Sequence, residues 1–188
     1  MIMPEILESE RLVLSRPYPV TMALAEEIFA AVEQSRNELE PWLPWVSATT
    51  CARDEFDNYL NGYCMNGWQN QTGFVYIIRT KANNEFVGTI DLMKVCDKNK
   101  SGEIGYWLKS KAVGYGYMQE AVLLLESKFF ELGYNRIVIG NDTRNIRSVN
   151  VAERCGYHLD GIMRQDRWNN YDKCFVDSNV FSKLKTDK

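Results

Sequence analysis

The sequence predicts a mixed α/β fold around one sheet, and three features lead to that prediction. One alternating segment and two helical segments come first, three β-rich segments fill the middle, and a glycine-bearing turn then leads into a long helix. The predicted order, β α α β β β α β α β β, gives a mostly antiparallel seven-stranded sheet flanked by four helices. No repeat or flexible linker interrupts the 188 residues, so we expect a single domain over residues 1–188.

The first third of the chain carries one predicted strand and two predicted helices. Residues 11–16 alternate apolar and polar side chains, as a half-buried strand does, and prolines follow them. Apolar side chains recur at helical spacing over residues 21–32. A second helix is predicted over residues 50–65, and the proline-containing segment 41–46 connects the two helices because each proline disfavours helix at the residue before it.

The middle of the chain predicts three antiparallel strands. Residues 73–79, 86–95 and 101–108 are rich in residues that favour strands, and the turn-like sequences KANNE and CDKNKSG separate them.

The last third alternates between helix and strand. A helix is predicted over residues 117–132, where a glycine ends it, and the short β-branched segment 136–140 reads as a buried strand. A further helix over residues 146–155 and two final strands over 157–164 and 173–184 complete the predicted fold.

Composition limits the function. Lys plus Arg is 22 and Asp plus Glu is 25, a net charge of −3, which disfavours nucleic acid as a partner. The longest apolar run, 121–125, is too short to span a membrane, and the acidic start of the chain is unlike a signal peptide, so we expect a cytoplasmic protein with no membrane partner. Five scattered cysteines without a CxxC pair and a single histidine predict neither a disulfide framework nor a metal site.

The strongest chemical signal is the strand 103–108 followed by the turn 111–116 and the long helix. Such a turn presents unpaired backbone N–H groups at the positive end of the helix dipole, which suits a phosphate or pyrophosphate. A simple tight connection remains an equal alternative. The turn has no GK[ST] sequence and no third glycine near Gln119, so the two common nucleotide-binding loops are excluded.

Four segments together resemble one protein family. They are SERLVLSRP at 9–17, GEIGYWL at 102–108 with the following KAVGYG, NRIVIGNDTRNIRSVNVAERCGY at 135–157, and DGIMRQ at 160–165. In these segments, which span nearly the whole chain, the sequence resembles GNAT-superfamily N-acetyltransferases of the RimJ/RimL-type branch. The resemblance implies acetyl-CoA as cofactor. It also implies a sheet splayed between strands 4 and 5, the segments 101–108 and 136–140.

The resemblance also implies which residues bind the cofactor. Lys111 stands where the family usually has Arg or Gln, and Asn145 matches the asparagine that contacts the cofactor arm, although a helix N-cap is an equally suitable role for it. Backbone N–H groups along the turn are expected to bind the pyrophosphate, and two side chains of the preceding strand the pantetheine. The full expected set is Trp107, Leu108, Lys111, Val113, Gly114, Tyr115, Gly116, Tyr117, Met118, Asn145 and Ser148.

Two residues are candidates for catalysis by the same resemblance. Ser148 matches the serine that RimL-like members place three residues after the asparagine, where it would protonate the leaving thiolate; satisfying the first helical turn is the alternative. Glu103 lies on the strand where many family members carry a base, and a cross-strand ion pair is the alternative. Two positions depart from family patterns. Ala152 stands where much of the family has a tyrosine that acts as an acid. Asp166 and Arg167 are nearest to the position where RimL-like enzymes have been assigned an acid, and Arg167 aligns closest to it.

The acceptor is expected to be a primary α-amine, because such a group costs only about 1.4 kcal/mol to deprotonate at pH 7, against about 4.6 kcal/mol for lysine. Either a peptide N-terminus or a small aminoacyl-nucleotide, as modified by microcin C self-immunity acetyltransferases, fits this reasoning. Aromatic residues are the acceptor-binding candidates. A catalytically silent acetyl-CoA-binding sensor remains an alternative, and a homodimer is left open. The acceptor-side candidates are Trp42, Trp45, Tyr106 and Trp168.

Overall fold

Eight strands form one mixed sheet in the computed structural model, which describes residues 3–187. The strand order is β1-β2-β3-β4-β5-β6-β8-β7, and every neighbouring pair is antiparallel except β5 and β6. The mixed α/β prediction is therefore confirmed. The strands are β1 (Ile6–Glu8), β2 (Leu12–Ser15), β3 (Phe74–Thr80), β4 (Phe86–Cys96), β5 (Ser101–Leu108), β6 (Arg136–Asp142), β7 (His158–Asn169) and β8 (Cys174–Leu184).

The sheet has one strand more than predicted. The additional strand, β1, pairs with β2 from Ile6 opposite Ser15 to Glu8 opposite Val13. Three residues are too few to show an alternating pattern, so the strand depends on its pairing with β2 rather than on its own sequence.

The helices follow the predicted order with two local differences. In place of the single helix predicted over 50–65, the structure has three consecutive helical segments, of which the middle one has π-type hydrogen bonding over ten residues. A four-residue helix, α2, also follows α1 directly. The helices are α1 (Met22–Gln34), α2 (Arg36–Leu39), α3 (Ala52–Asp54), the π-helix (Glu55–Cys64), α4 (Met65–Asn70), α5 (Tyr117–Glu131) and α6 (Ile146–Arg154).

Both faces of β3, in the middle of the sheet, are buried. On β3, Tyr76 and Ile78 pack on the side of α5, whereas Val75 and Ile77 pack on the side of α1 and the π-helix. Alternating side chains of this strand therefore enter two cores, which explains why β3 is almost continuously apolar.

The strands β5 and β6 separate after three paired residues. Ser101, Gly102 and Glu103 pair with Arg136–Val138, and beyond them the two strands diverge, as the splayed-sheet prediction requires. The backbone groups that face this gap on the remainder of each strand have no partner across it, so a ligand with amide groups can bind there.

Two further properties concern the described residues 3–187. None of their helices is both long and apolar enough to cross a bilayer. They also contain no group of three His, Cys, Asp or Glu side chains arranged to hold a metal ion.

Candidate active site at the gap between β5 and β6

A cleft of about 500 Å³ follows the gap. One wall is β5 and the turn before α5, the opposite wall is the end of β6 with α6, and the segment after α1 closes one end. Most of the predicted cofactor residues line this cleft, although their widely separated segments meet only because the sheet opens. Those that line it are Trp107, Leu108, Val113, Gly114, Gly116, Tyr117, Met118, Asn145 and Ser148.

The turn before α5 has the backbone of an anion site. Gly114 and Gly116 have φ angles of 95° and 78°, a left-handed conformation that favours glycine. Gly116 is the N-cap of α5 and supplies no side chain, so the N–H groups of the first helical turn point outward without partners in the helix. The N–H of Val113 is different, because it already donates to the carbonyl of Ser110 at 3.3 Å. The amides from Gly114 onward are therefore the better donors.

Arg11, which directly precedes β2, connects β2 to this turn through its side chain. Its guanidinium Nη1 donates to the carbonyl of Tyr115 at 2.9 Å, its Nε donates to Glu120 at 2.7 Å, and the group lies 5.0 Å from the centre of the Tyr117 ring. Partial burial favours a higher pKa for Glu120, but hydrogen bonds from Ser9 and Arg11 hold that pKa below its ordinary value. The sequence analysis missed Arg11, which lies over 100 residues before the turn.

Lys111 and Tyr115 lie outside the cleft lining. Lys111 is exposed on the short turn Ser110–Ala112, and the Tyr115 ring is exposed and stacked on Tyr117 with centroids 5.6 Å apart. Their predicted role in cofactor binding stays a prediction.

The start of α6 brings two predicted residues together with a third. Asn145 is the N-cap, and its Oδ1 accepts the backbone N–H of Ser148 at 3.2 Å. The hydroxyl of Tyr106 lies 3.0 Å from Ser148 Oγ and donates to the Ser148 carbonyl at 3.2 Å. Burial raises the pKa of Tyr106 to about 12, so this hydroxyl stays protonated. The structure thus places Tyr106, an acceptor candidate, against the serine of the cofactor side.

Glu103 lies where the gap opens. It lines the cleft and also pairs with Lys94 Nζ at 2.8 Å, so the cross-strand ion pair considered from the sequence is present. A second carboxylate, that of Asp91, lies beside it on β4 and was not predicted. The available signal was a single acidic residue within the otherwise apolar strand sequence GTIDLM.

The predicted acceptor aromatics occupy three places. Trp42 lines the cleft, and it also borders a small hollow that Trp168 lines from β7. Trp45 instead packs between the π-helix and β5, 6.3 Å from Tyr59 and 5.9 Å from Trp107. The structure therefore brings Trp42 to the cleft directly, and the other two flank it.

The opened sheet and the glycine turn are those of the acetyltransferase fold that the sequence resembles. A family model described as "Acetyltransferase (GNAT) domain" matches residues 11–158. The chain belongs to this family.

Known relatives extend the comparison. The chain is 28% identical over 116 residues to the ribosomal-protein-serine acetyltransferase of Escherichia coli (strain K12), covering 61% of this chain and 64% of the relative. The chain therefore aligns with only part of two of its curated relatives. The aligned segment covers 64% of the Escherichia coli enzyme and 50% of a second curated relative.

Two solved structures share the fold over nearly the whole chain. The structure of RimL, a ribosomal L7/L12 alpha-N-protein acetyltransferase in complex with coenzyme A, has a TM-score of 0.86 at 25% identity and covers 96% of this chain and 98% of its own. The microcin C7 self-immunity acetyltransferase MccE, in complex with acetyl-CoA and AMP, has a TM-score of 0.85 at 23% identity and covers 94% of this chain and 93% of its own.

Proposed function

We propose that the protein is an N-acetyltransferase that moves an acetyl group from acetyl-CoA to a primary α-amine. The observation that carries the proposal is the gap between β5 and β6, which opens beside the left-handed glycines at the start of α5. The pantetheine amides would pair with the exposed edge of β5, and the N–H groups from Gly114 to Met118 would bind the pyrophosphate. The coenzyme A complexes of RimL and MccE support this placement.

Three groups of this chain would serve the reaction. Backbone N–H groups on the free edge of β5 would polarise the thioester carbonyl, as an oxyanion hole does. Ser148, held by Tyr106 and Asn145, would donate a proton to the departing sulfur. A carboxylate where the gap opens, with Glu103 as the first candidate, would accept a proton from the amine.

The acceptor would reach the reaction site from the face of α1 and the π-helix, past Trp42. Two acceptor classes suit a cleft with aromatic walls: a peptide N-terminus, supported by the relationship to RimL, and an aminoacyl-nucleotide, supported by the fold shared with MccE. Cytoplasmic location, a homodimer and the lack of nucleic-acid or membrane partners remain predictions from the sequence.

An acceptor screen tests the proposal. The purified protein, acetyl-CoA and a thiol-reactive dye would be combined with N-terminal peptides, aminoacyl sulfamoyl adenosines and lysine-containing peptides with blocked N-termini. We expect thiol release with one of the first two classes and little with the third. Release only with the lysine peptides would contradict the α-amine assignment.

A catalytically silent acetyl-CoA sensor is the second candidate. The observation that favours it is a basic residue, Arg167, at the position where RimL-like enzymes have been assigned an acid. The Nε of Arg167 donates to Ser178 Oγ at 2.9 Å. Tight acetyl-CoA binding by calorimetry, together with no thiol release for any amine, would establish the sensor and reject the enzyme.

A further inference from the structure

Two carboxylates lie near two glycines where the gap opens. Glu103 lines the cleft, whereas Asp91 lies beside Met93 and Gly105, which line it. Asp91 on β4 is directly opposite Gly105 on β5, and a Cβ added to Gly105 would lie 2.5 Å from Met93 Cε and 2.7 Å from Asp91 Oδ1. A Cβ added to Gly140 on β6 would lie 3.9 Å from Glu103 Oε1. A carboxylate therefore comes within contact distance of a glycine on each strand that borders the gap. The approach is close only at Gly105, where a larger side chain would displace Met93 and Asp91.

The two carboxylates differ in their partners. Glu103 is paired with Lys94, whereas Asp91 forms no ion pair with any Lys, Arg or His in the described chain. Asp91 Oδ2 instead accepts a hydrogen bond from the Tyr63 hydroxyl at 3.0 Å, which leaves Oδ1 on the Gly105 side for another donor. A carboxylate without a cation, beside a row of aromatic rings formed by Tyr63, Tyr59 and Trp45, is suited to an ammonium group.

The surroundings also make Asp91 a stronger base than an ordinary aspartate. Burial raises the pKa of Asp91 to about 6; the Tyr63 hydrogen bond opposes this increase and the charge of Glu103 adds to it. The equilibrium for proton transfer from an α-ammonium with a pKa near 8 is unfavourable by roughly a hundredfold when such a group accepts the proton. It is unfavourable by roughly ten-thousandfold when an ordinary aspartate accepts it. The titratable groups near Asp91 are Tyr59, Tyr63 and Cys64 on the π-helix and Glu103 on β5, which is itself paired with Lys94.

We propose that Asp91, in place of Glu103, is the catalytic residue that binds the ammonium group of the acceptor and takes its proton. The inference rests on the proposed function, because it requires an amine acceptor at this cleft. The carboxylate of Asp91 accepts one proton from the ammonium, and the resulting neutral amine attacks the thioester carbonyl. The C–N bond forms as the C–S bond breaks, and the second amine proton ends on the coenzyme A thiol. Asp91 then releases its proton to solvent.

The test compares Asp91→Asn with Glu103→Gln and with Asp57→Asn, a matched control at an exposed aspartate of the π-helix. The pH dependence of kcat/KM would be measured from pH 5 to 9, with a serine-initiated peptide and an aminoacyl sulfamoyl adenosine as acceptors. We expect Asp91→Asn to lower kcat/KM at least tenfold at pH 7, with an unchanged Kd for acetyl-CoA. The deficit should shrink toward pH 9, where more of the amine is already neutral.

A second variant keeps the carboxylate. Tyr63→Phe removes the hydrogen bond that lowers the pKa of Asp91, so the acidic limb of the pH profile should move to higher pH. This result is informative even where Asp91→Asn fails to fold.

Several outcomes would overturn the assignment. The first is a decrease in kcat/KM of Asp91→Asn that is less than twofold at every pH or the same at every pH. The second is an acidic limb of the pH profile that Tyr63→Phe does not move. The third is an acidic limb that Glu103→Gln removes and Asp91→Asn does not. In each of these cases the wild-type protein still acetylates α-amines, so the proposed function survives. A wild-type protein that binds acetyl-CoA and acetylates neither probe would reject both.

Discussion

The hydroxyl oxygens of Tyr106 and Ser148 lie 3.0 Å apart and join β5 to α6 on the cofactor side of the cleft. The residues are 42 positions apart in the chain. Because β5 and β6 have already separated here, backbone pairing no longer fixes the position of α6 relative to β5. The Tyr106 side chain supplies that connection and holds Ser148 Oγ at the expected position of the leaving sulfur.

Removing the Tyr106 hydroxyl should therefore slow turnover. We expect Tyr106→Phe to lower kcat by about fivefold to tenfold, the effect of a lost hydrogen bond of about 1 kcal/mol, with little change in the KM for acetyl-CoA. Steady-state kinetics would be compared with Tyr134→Phe, which removes a hydroxyl that donates to Asp97 outside the cleft. An equal effect in both variants would show that the loss is only structural.

Ser148→Ala should have the larger effect on kcat. We expect at least a tenfold decrease with the KM for acetyl-CoA little changed, because the backbone N–H of Ser148 keeps its bond to Asn145 and α6 keeps its N-cap. Near-normal turnover would reject the role of the serine. If Tyr106 acts through Ser148, the double variant should be no slower than Ser148→Ala alone.

A negative charge at Gly114 should abolish coenzyme A binding. Gly114→Asp would repel the pyrophosphate, and calorimetry should detect no binding. Gly133→Asp is a matched control, because Gly133 has a similar φ of 91° at the other end of α5. As at Gly114, no atom of the described chain beyond the glycine and its two chain neighbours lies within 4 Å of an added Cβ. Equal affinity in the two variants would rule out the pyrophosphate site.

The buried carboxyl of Glu55 should make stability depend on pH. Its side chain is 1% exposed, neither oxygen has a hydrogen-bond partner within residues 3–187, and burial raises its pKa to about 7. The unfolded chain loses this proton near pH 4.5, so the free energy of unfolding falls as pH rises from there to 7, by about 3 kcal/mol in total.

Replacing Glu55 with Met should remove this decrease. The free energy of unfolding would be measured in urea at pH 5 and at pH 8. We expect the difference between Glu55→Met and the wild type to change in favour of the variant from pH 5 to pH 8. The control is Glu131→Gln at an exposed position. A difference between Glu55→Met and the wild type that is the same at both pH values would contradict the raised pKa.

The sequence by itself determined most of the helices and strands and one part of the site, the glycine turn before α5. The strand-favouring residues of 73–79 and 101–108, the helical periodicity of α1, and the two glycines before α5 depend on neighbours within a few positions, so they can be identified locally. The family resemblance added the residues of α6 and the separation of β5 from β6.

Only the tertiary structure decided which distant residues meet. The contact of Arg11 with Glu120 spans 109 positions, and the approach of Asp91 to Gly105 depends on the register between β4 and β5. The three residues of β1 become a strand only beside β2. Such contacts depend on how strands pair and diverge, because a side chain's own sequence neighbours fix its face on the sheet but not the group opposite it.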